Sequence, residues 1–423
     1  MRSLVWFVLG ALVALVAVLL AMNLTGGGDD VKRTISPPFD TGSPQFPRTM
    51  GQILGPPLVG GNGVDAFVNG DEIFPAMLTA IRGAQESITF ETFIYWEGRI
   101  GRTLAGELAR KAREGVAVHV LIDWYGSQKM DETSLDLMRD AGVEIQIYRP
   151  IRWYTLDRIN NRTHRKILVV DGRVGFTGGV GIADSWLGDA RSPEEWRDTH
   201  FRIQGPVVAQ LQAAFLDNWE RSRGVLLLGD AYFPELQPEG STQAQVSTSS
   251  PEDGSERARL LYLVSIAAAR RTIDLSTAYF IPDEASIQSL VEARGRGVRV
   301  RIIVPGPHVD LEVTRRASRA LWGPLLRAGV EIHEYQPTMF HVKTMVVDGL
   351  WSSVGSTNFD ERSFKLNDEA NLNVLDPAFA AARIQEFERD LAHSKQVTWE
   401  SWSRRPWKEK ARERLSALLR WQL

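Results

Sequence analysis

The sequence predicts an α/β fold of two repeats, each a mostly parallel or mixed β-sheet flanked by helices, behind an N-terminal transmembrane helix. Three observations predict it. The first is an order of elements that occurs twice. Ser87-Ile-Thr-Phe-Glu-Thr-Phe-Ile-Tyr95 is followed by a helical pattern and then Val116-Ala-Val-His-Val-Leu-Ile-Asp123. Thr272-Ile-Asp-Leu-Ser-Thr-Ala-Tyr-Phe280 is followed by another helical pattern and Val298-Arg-Val-Arg-Ile-Ile-Val304. Strand–helix–strand–helix–strand order implies a sheet covered by helices. The second is near-identity between Ala141-Gly-Val-Glu-Ile-Gln-Ile-Tyr148 and Ala328-Gly-Val-Glu-Ile-His-Glu-Tyr335, offset by 329 − 142 = 187 positions. The third is a His-x-Lys strand closing each half. Together they point to duplication.

Along the chain, residues 4–22 form an uncharged apolar run. Nineteen residues at 1.5 Å each span roughly 28 Å, near a bilayer's hydrocarbon thickness. The run is longer than a signal-peptide core and lacks a small-x-small cleavage site, so an uncleaved anchor over residues 1–25 is expected. Arg2 lies on one side and Lys32 and Arg33 on the other, which leaves the membrane face open. Residues 26–59 are rich in Gly, Pro, Ser and Asp and read as a tether. The first repeat then covers 60–228, a polar linker 229–254 and the second repeat 255–393. A basic, Trp-rich helix is expected over 394–423.

The formal net charge of −3 lowers the expectation of a nucleic-acid partner. With no cysteine, thiol chemistry, disulfides and Cys-ligated metals are excluded.

The chemistry lies in His164-Arg-Lys166-Ile-Leu-Val-Val-Asp171-Gly172, followed by Gly178-Gly179, and in His341-Val-Lys343-Thr-Met-Val-Val-Asp348-Gly349, followed by Gly355-Ser356-Thr357-Asn358. Both read His-x-Lys-x4-Asp. On a strand, residues two apart share a face, so each half presents an imidazole beside an ammonium. Asp171 and Asp348 have the opposite parity, in Val-Asp-Gly hairpin turns. Turn formation or a buried hydrogen bond is their favoured reading over direct substrate contact.

Two such units suit displacement at phosphorus, where the attacking and leaving atoms lie in line on opposite sides. One imidazole cannot serve both sides, whereas two can act as nucleophile and proton donor. The lysines bind the non-bridging oxygens. No carboxylate cluster with metal spacing occurs, so neither metal nor cofactor is expected. His119, His200, His308, His333 and His393, which lack the repeated lysine, read as ordinary polar residues.

These motifs resemble the phospholipase D superfamily and, within it, the bacterial cardiolipin synthases, over roughly residues 60–390. Supporting stretches are Trp196-Arg-Asp198-Thr199-His200, Tyr279-Phe280-Ile-Pro-Asp283 and Gly355-Ser-Thr-Asn-Phe-Asp-Glu-Arg-Ser-Phe364 with Asn367-Asp-Glu369. The resemblance implies one active site between pseudo-twofold repeats. It implies a catalytic set of His164, Lys166, Asp171, His341, Lys343 and Asp348, with His164 as nucleophile forming a phosphohistidine and His341 as acid, then base. Asp198 and Glu369 would orient the imidazoles, and Ser356 and Asn358 would hold phosphate. The implied substrate is phosphatidylglycerol, at a bacterial inner membrane. Gly181 departs from the pattern, standing where the extended motif has Asn.

Hydrolysis or another alcohol acceptor, a nuclease and a non-catalytic lipid-binding scaffold are the competing readings. Trp153, Tyr154, Met339 and Phe340 flank the histidines, as an acyl-chain access or as core. The tail's Trp399, Trp402, Trp407 and Trp421 among basic residues suit either an anionic lipid interface or a helix packed on the body.

Overall fold

The structure, a computed structural model, describes residues 5–7, 9–10, 13–14, 18, 35–152, 159–252 and 256–423. Most of the expected anchor, and Trp153 and Tyr154, lie outside the described residues. Among the described residues no helix is long and apolar enough to cross a membrane.

After helix α1 (Gln45–Leu54), the first half runs β1 (Val59–Val68), α2 (Asn69–Gly83), β2 (Ser87–Thr92), α3 (Arg99–Arg113), β3 (Ala117–Asp123), α4 (Glu132–Asp140), β4 (Glu144–Tyr148), β5 (Arg162–Thr163), β6 (Ile167–Val170), β7 (Val174–Gly178), β8 (Thr199–Gln204) and α5 (Val208–Arg223). The second runs β9 (Thr242–Ser249), α6 (Arg257–Ala268), β10 (Thr272–Thr277), β11 (Phe280–Ile281), α7 (Glu284–Gly295), β12 (Arg299–Pro305), α8 (Glu312–Arg327), β13 (Glu331–Tyr335), β14 (Lys343–Val347), β15 (Trp351–Gly355), β16 (Phe359–Asp360), α9 (Glu361–Lys365), β17 (Asn367–Leu375) and α10 (Pro377–Ala392). Then come β18 (Ser394–Val397), α11 (Trp399–Ser403) and α12 (Trp407–Ala417).

The main sheet has the order β18-β13-β12-β10-β14-β15-β17-β9-β1-β8-β7-β6-β2-β3-β4. It is close to a palindrome: β2-β3-β4 and β10-β12-β13 are parallel and the remaining neighbours antiparallel, so each half is mixed, as the alternating pattern predicts. The halves join edge to edge where β1 pairs with β9. The near-identical Ala-Gly-Val stretches end α4 and α8. Gly142 and Gly329 take φ of 90° and 85°. The following amides, Val143 and Val330, donate back to Met138 and Leu325, which is the glycine-requiring helix stop that turns the chain into β4 and β13.

Three expected boundaries are corrected. The tether is docked from residue 35 onward: Phe46, Met50 and Leu54 of α1 lie in the second half's core, with Phe46 edge-on to Trp351 at 5.1 Å. The linker contains β9, a central strand. Its Thr-Gln-Ala-Gln-Val-Ser-Thr-Ser sequence is too polar to stand out, and it is held between β1 and β17, with Asn373 Nδ2 donating to Ser247 Oγ at 2.9 Å. The tail is an edge strand and two helices rather than one helix.

Asp171 and Asp348 open the three-residue β6–β7 and β14–β15 turns with φ of 53° and 56°, each followed by a glycine at positive φ. Asp171 accepts from the amides of Gln85, Glu86 and Ser87. Asp348 accepts from those of Arg270, Arg271 and Thr272 and from Thr41 Oγ1 at 2.9 Å. Both therefore stand at the far end of their strands from the lysines, tying the hairpin to the start of β2 or β10. Their place in the catalytic set is corrected on that ground. Asp348→Ala is expected to cost about 1.5–3 kcal/mol by stranding those amides. Chemical denaturation reads that loss, with kinetic constants changing less than in a variant of Asp198.

Candidate active site

Each histidine is carried into the seam by a short cross-half pairing. β5 runs parallel to the start of β17, and His164 N donates to Asp368 O at 2.9 Å. In the mirror position Arg197 bridges Phe340, and His341 N donates to Arg197 O at 2.8 Å. The edge of each half thus positions the other half's histidine.

The carboxylates follow the same cross-over. His164 Nδ1 lies 3.0 Å from Glu369 Oε1, and His341 Nδ1 lies 2.7 Å from Asp198 Oδ2. An Nδ1–H donated to a carboxylate makes Nε2 the nitrogen available for chemistry on each ring, with the His341 Nε2 within reach of Lys343 Nζ. Asp198 and Glu369 are equivalent through strand register: Gly178 pairs with His200 and Gly355 with Asn371, and each carboxylate stands two residues earlier. Lys166 Nζ donates to His164 O at 2.7 Å and Lys343 Nζ to His341 O at 2.8 Å. Lys343 Nζ also lies 3.1 and 3.2 Å from the His341 ring nitrogens. All four side chains and both carboxylates are buried.

Burial sets the protonation states. It pulls both imidazoles down to about 4, with Lys166 and Lys343 adding to the fall and the paired carboxylates opposing it. It pulls Lys166 to about 7 and Lys343 to about 8. Burial would raise Glu369, but His164, Lys166 and the Ser356 hydroxyl outweigh it and hold the carboxyl at about 2. Asp198 is likewise lowered against its burial, by His341, Lys343 and the Trp186 N–H.

A phosphodiester anion seated between the ammonium groups raises both lysine pKa values. Binding a non-hydrolysable phosphodiester above about pH 8 is therefore expected to take up protons. Calorimetry in two buffers of different ionisation enthalpy reads this, and no uptake would mean the lysines are already charged in the free protein.

The two sides differ in how they hold their carboxylates. Glu369 accepts from Ser356 Oγ and Asn367 Nδ2. Asp198 accepts from Trp186 Nε1 at 2.9 Å. Gly179 takes the place equivalent to Ser356, and a Cβ there would stand 2.1 Å from Asp198 Oδ1. Gly181 takes the place equivalent to Asn358, and a Cβ there would stand 2.7 Å from Ile94 Cβ and 3.1 Å from the Trp186 ring. The departure from the motif is thus explained: the indole fills the space an asparagine would need. Asn358 and Ser356 are both buried beside β17, and among the described residues Asn358 Oδ1 has no partner.

Trp186 and Phe93 carry no role in the sequence reading, and Trp196 appears there only as the start of a supporting stretch. Trp186 and Trp196 flank His341 at 5.2 and 5.4 Å, and Phe93 stands 5.4 Å from His164. The one signal was the contrast of Gly178-Gly179 with Gly355-Ser356. Met339 and Phe340 are buried, Phe340 packing with Tyr335, Val342 and Phe387, so they are core and not an acyl-chain access.

The chain matches a family model described as "Cardiolipin synthase, PLD-like domain" over residues 77–219 and 262–391. It is 37% identical over 357 residues to a cardiolipin synthase A of Pseudomonas putida, covering 84% of this chain and 73% of that protein. It is 36% identical over 356 residues to a cardiolipin synthase of Geobacillus kaustophilus, covering 84% and 71%. The crystal structure of a phosphatidylserine synthase from Haemophilus influenzae shares the fold, with a TM-score of 0.68 over 89% of this chain and 99% of that one at 14% identity. With both halves matched and relatives more than a third identical over most of its length, the chain belongs to the phospholipase D-like cardiolipin synthase family.

Proposed function

We propose that the protein is a cardiolipin synthase that joins two phosphatidylglycerol molecules through a phosphohistidine on His164. The observation that carries this is the pair of buried imidazoles, each with Nδ1 against a carboxylate from the other half and a lysine beside it. In the first step the His164 Nε2 lone pair attacks phosphorus, the bond to the glycerol oxygen breaks, and His341 gives that oxygen its proton. In the second, a hydroxyl of another phosphatidylglycerol attacks phosphorus, His341 takes its proton, and the P–N bond breaks. Lys166, Lys343 and Asn358 hold the non-bridging oxygens in both steps.

The bound anion raises the His341 pKa from its low resting value, so the proton donor is charged when substrate is in place. The lysines supply the positive charge that a metal ion supplies elsewhere, so the reading needs no metal. A bacterial cell membrane is the expected location, with residues 4–22 as a single-pass anchor.

The test is product analysis with phosphatidylglycerol in the presence of chelator. Cardiolipin and free glycerol in equal amounts are expected, both absent in His164→Ala. Phosphatidic acid in place of cardiolipin would make water the acceptor and overturn the synthase reading.

A further inference from the structure

Residues 404–423 carry two acidic side chains, both taken up by arginines, and an excess of exposed basic ones. Glu413 is buried and bonded by Arg405 and Arg319, and the half-exposed Glu409 is paired with Arg319 at 3.2 Å, so both side-chain acids of residues 404–423 are engaged by arginines. On the outside, Arg404, Lys408, Arg412 and Arg414 are exposed. Among them stand Trp407, Leu415, Leu418 and Leu419, exposed by 73%, 66%, 73% and 50%. On α12 Trp407 and Leu415 lie within about 80° of each other and away from Glu409 and Glu413, and Leu418 and Leu419 follow in the turn that ends the helix. An exposed stripe of large apolar side chains flanked by cations suits an interface with anionic headgroups.

The same tail ends on the catalytic seam. Asn160 Nδ2 donates to Gln422 Oε1 at 2.6 Å, Arg362 NH1 donates to Gln422 O at 3.1 Å, and Arg420 pairs with Glu361 at 3.5 Å. Asn160 lies four residues before His164, and Arg362 four residues after Asn358. Nearby loops at the carboxyl ends of β3, β4 and β12 expose Tyr125, Ile151 and Leu311.

We infer that residues 404–423 dock on an anionic bilayer surface and hold the mouth of the active site against it. This deepens the lipid-transfer reading and rests on it. The occupant is a lipid surface because the exposed side chains are large and apolar, with exposed cations among them, while both side-chain acids of residues 404–423 are already paired with arginines. The tail thus sets the distance between bilayer and seam, independently of the N-terminal run.

The sequence holds no cysteine, so a single nitroxide on Leu418→Cys reports that position alone. In the full chain on phosphatidylglycerol vesicles the label is expected to become accessible to oxygen and shielded from a polar relaxant. On neutral phosphatidylcholine vesicles it stays aqueous, as does a control label on Arg113→Cys in either case. A label that stays aqueous on phosphatidylglycerol vesicles overturns the inference.

A second measurement uses Leu415→Ser with Leu418→Ser. Turnover of vesicle phosphatidylglycerol is expected to fall at least about ten-fold, with turnover of monomeric short-chain phosphatidylglycerol unchanged. Equal losses on both substrates would assign these leucines to folding and overturn the inference. A wild-type protein that makes no cardiolipin from either substrate would defeat the lipid-transfer reading, while the label would still report docking.

Discussion

His341→Ala is expected to lower cardiolipin formation from phosphatidylglycerol by about 10²–10⁴-fold while leaving attack on an activated ester intact. Glycerol is a poor leaving group and needs the His341 proton as the P–O bond breaks. A nitrophenyl phosphatidyl ester does not, because nitrophenolate departs as a stable anion. With that ester the variant should release one equivalent of nitrophenolate in a burst and then stall, because the acceptor hydroxyl has lost its base. His164→Ala should show neither burst nor turnover with either ester. A burst from His164→Ala and none from His341→Ala would exchange the two roles.

Glu369→Gln and Asp198→Asn should each lower turnover on the order of 10²-fold or more, with the fold retained. An amide in place of the carboxylate presents an N–H to Nδ1, selecting the tautomer whose Nε2 carries the proton, and removes the charge that stabilises an imidazolium. The pairing makes the two losses different in kind. Glu369 acts on His164 from the other half, so Glu369→Gln disables attack and the nitrophenyl ester brings no recovery. Asp198 acts on His341, so Asp198→Asn disables proton transfer and the burst returns. Were each carboxylate to serve the histidine of its own half, the ester would rescue Glu369→Gln instead.

Much of this was legible in the sequence because duplication doubles every signal. The His-x-Lys strands stand 341 − 164 = 177 positions apart, and the Ala-Gly-Val helix stops are identical because one backbone geometry demands glycine in both halves. The pairing of Asp198 with Glu369 came from the family resemblance and not from the repeat, because their offset is 369 − 198 = 171. The segments between motif and carboxylate differ by six residues, and only strand register aligns them. Which carboxylate serves which histidine was not legible at all, since the crossing arises from pairing between β5 and β17 and between Arg197 and Phe340. β9 was read as linker because its side chains are mostly polar, and its strand partners β1 and β17 are remote in sequence. Trp186 has no counterpart in the second half, so the repeat carried no trace of it.

The most direct test of the central claim is to locate the covalent intermediate. His341→Ala is treated with the nitrophenyl phosphatidyl ester, quenched at alkaline pH where phosphohistidine survives, and mapped by peptide mass spectrometry. The predicted result is a phosphatidyl adduct on the peptide bearing His164, lost when Glu369→Gln is added and kept when Asp198→Asn is added. An absent adduct, or one whose formation depends on Asp198 and not on Glu369, would contradict a nucleophile held in place by the opposite half.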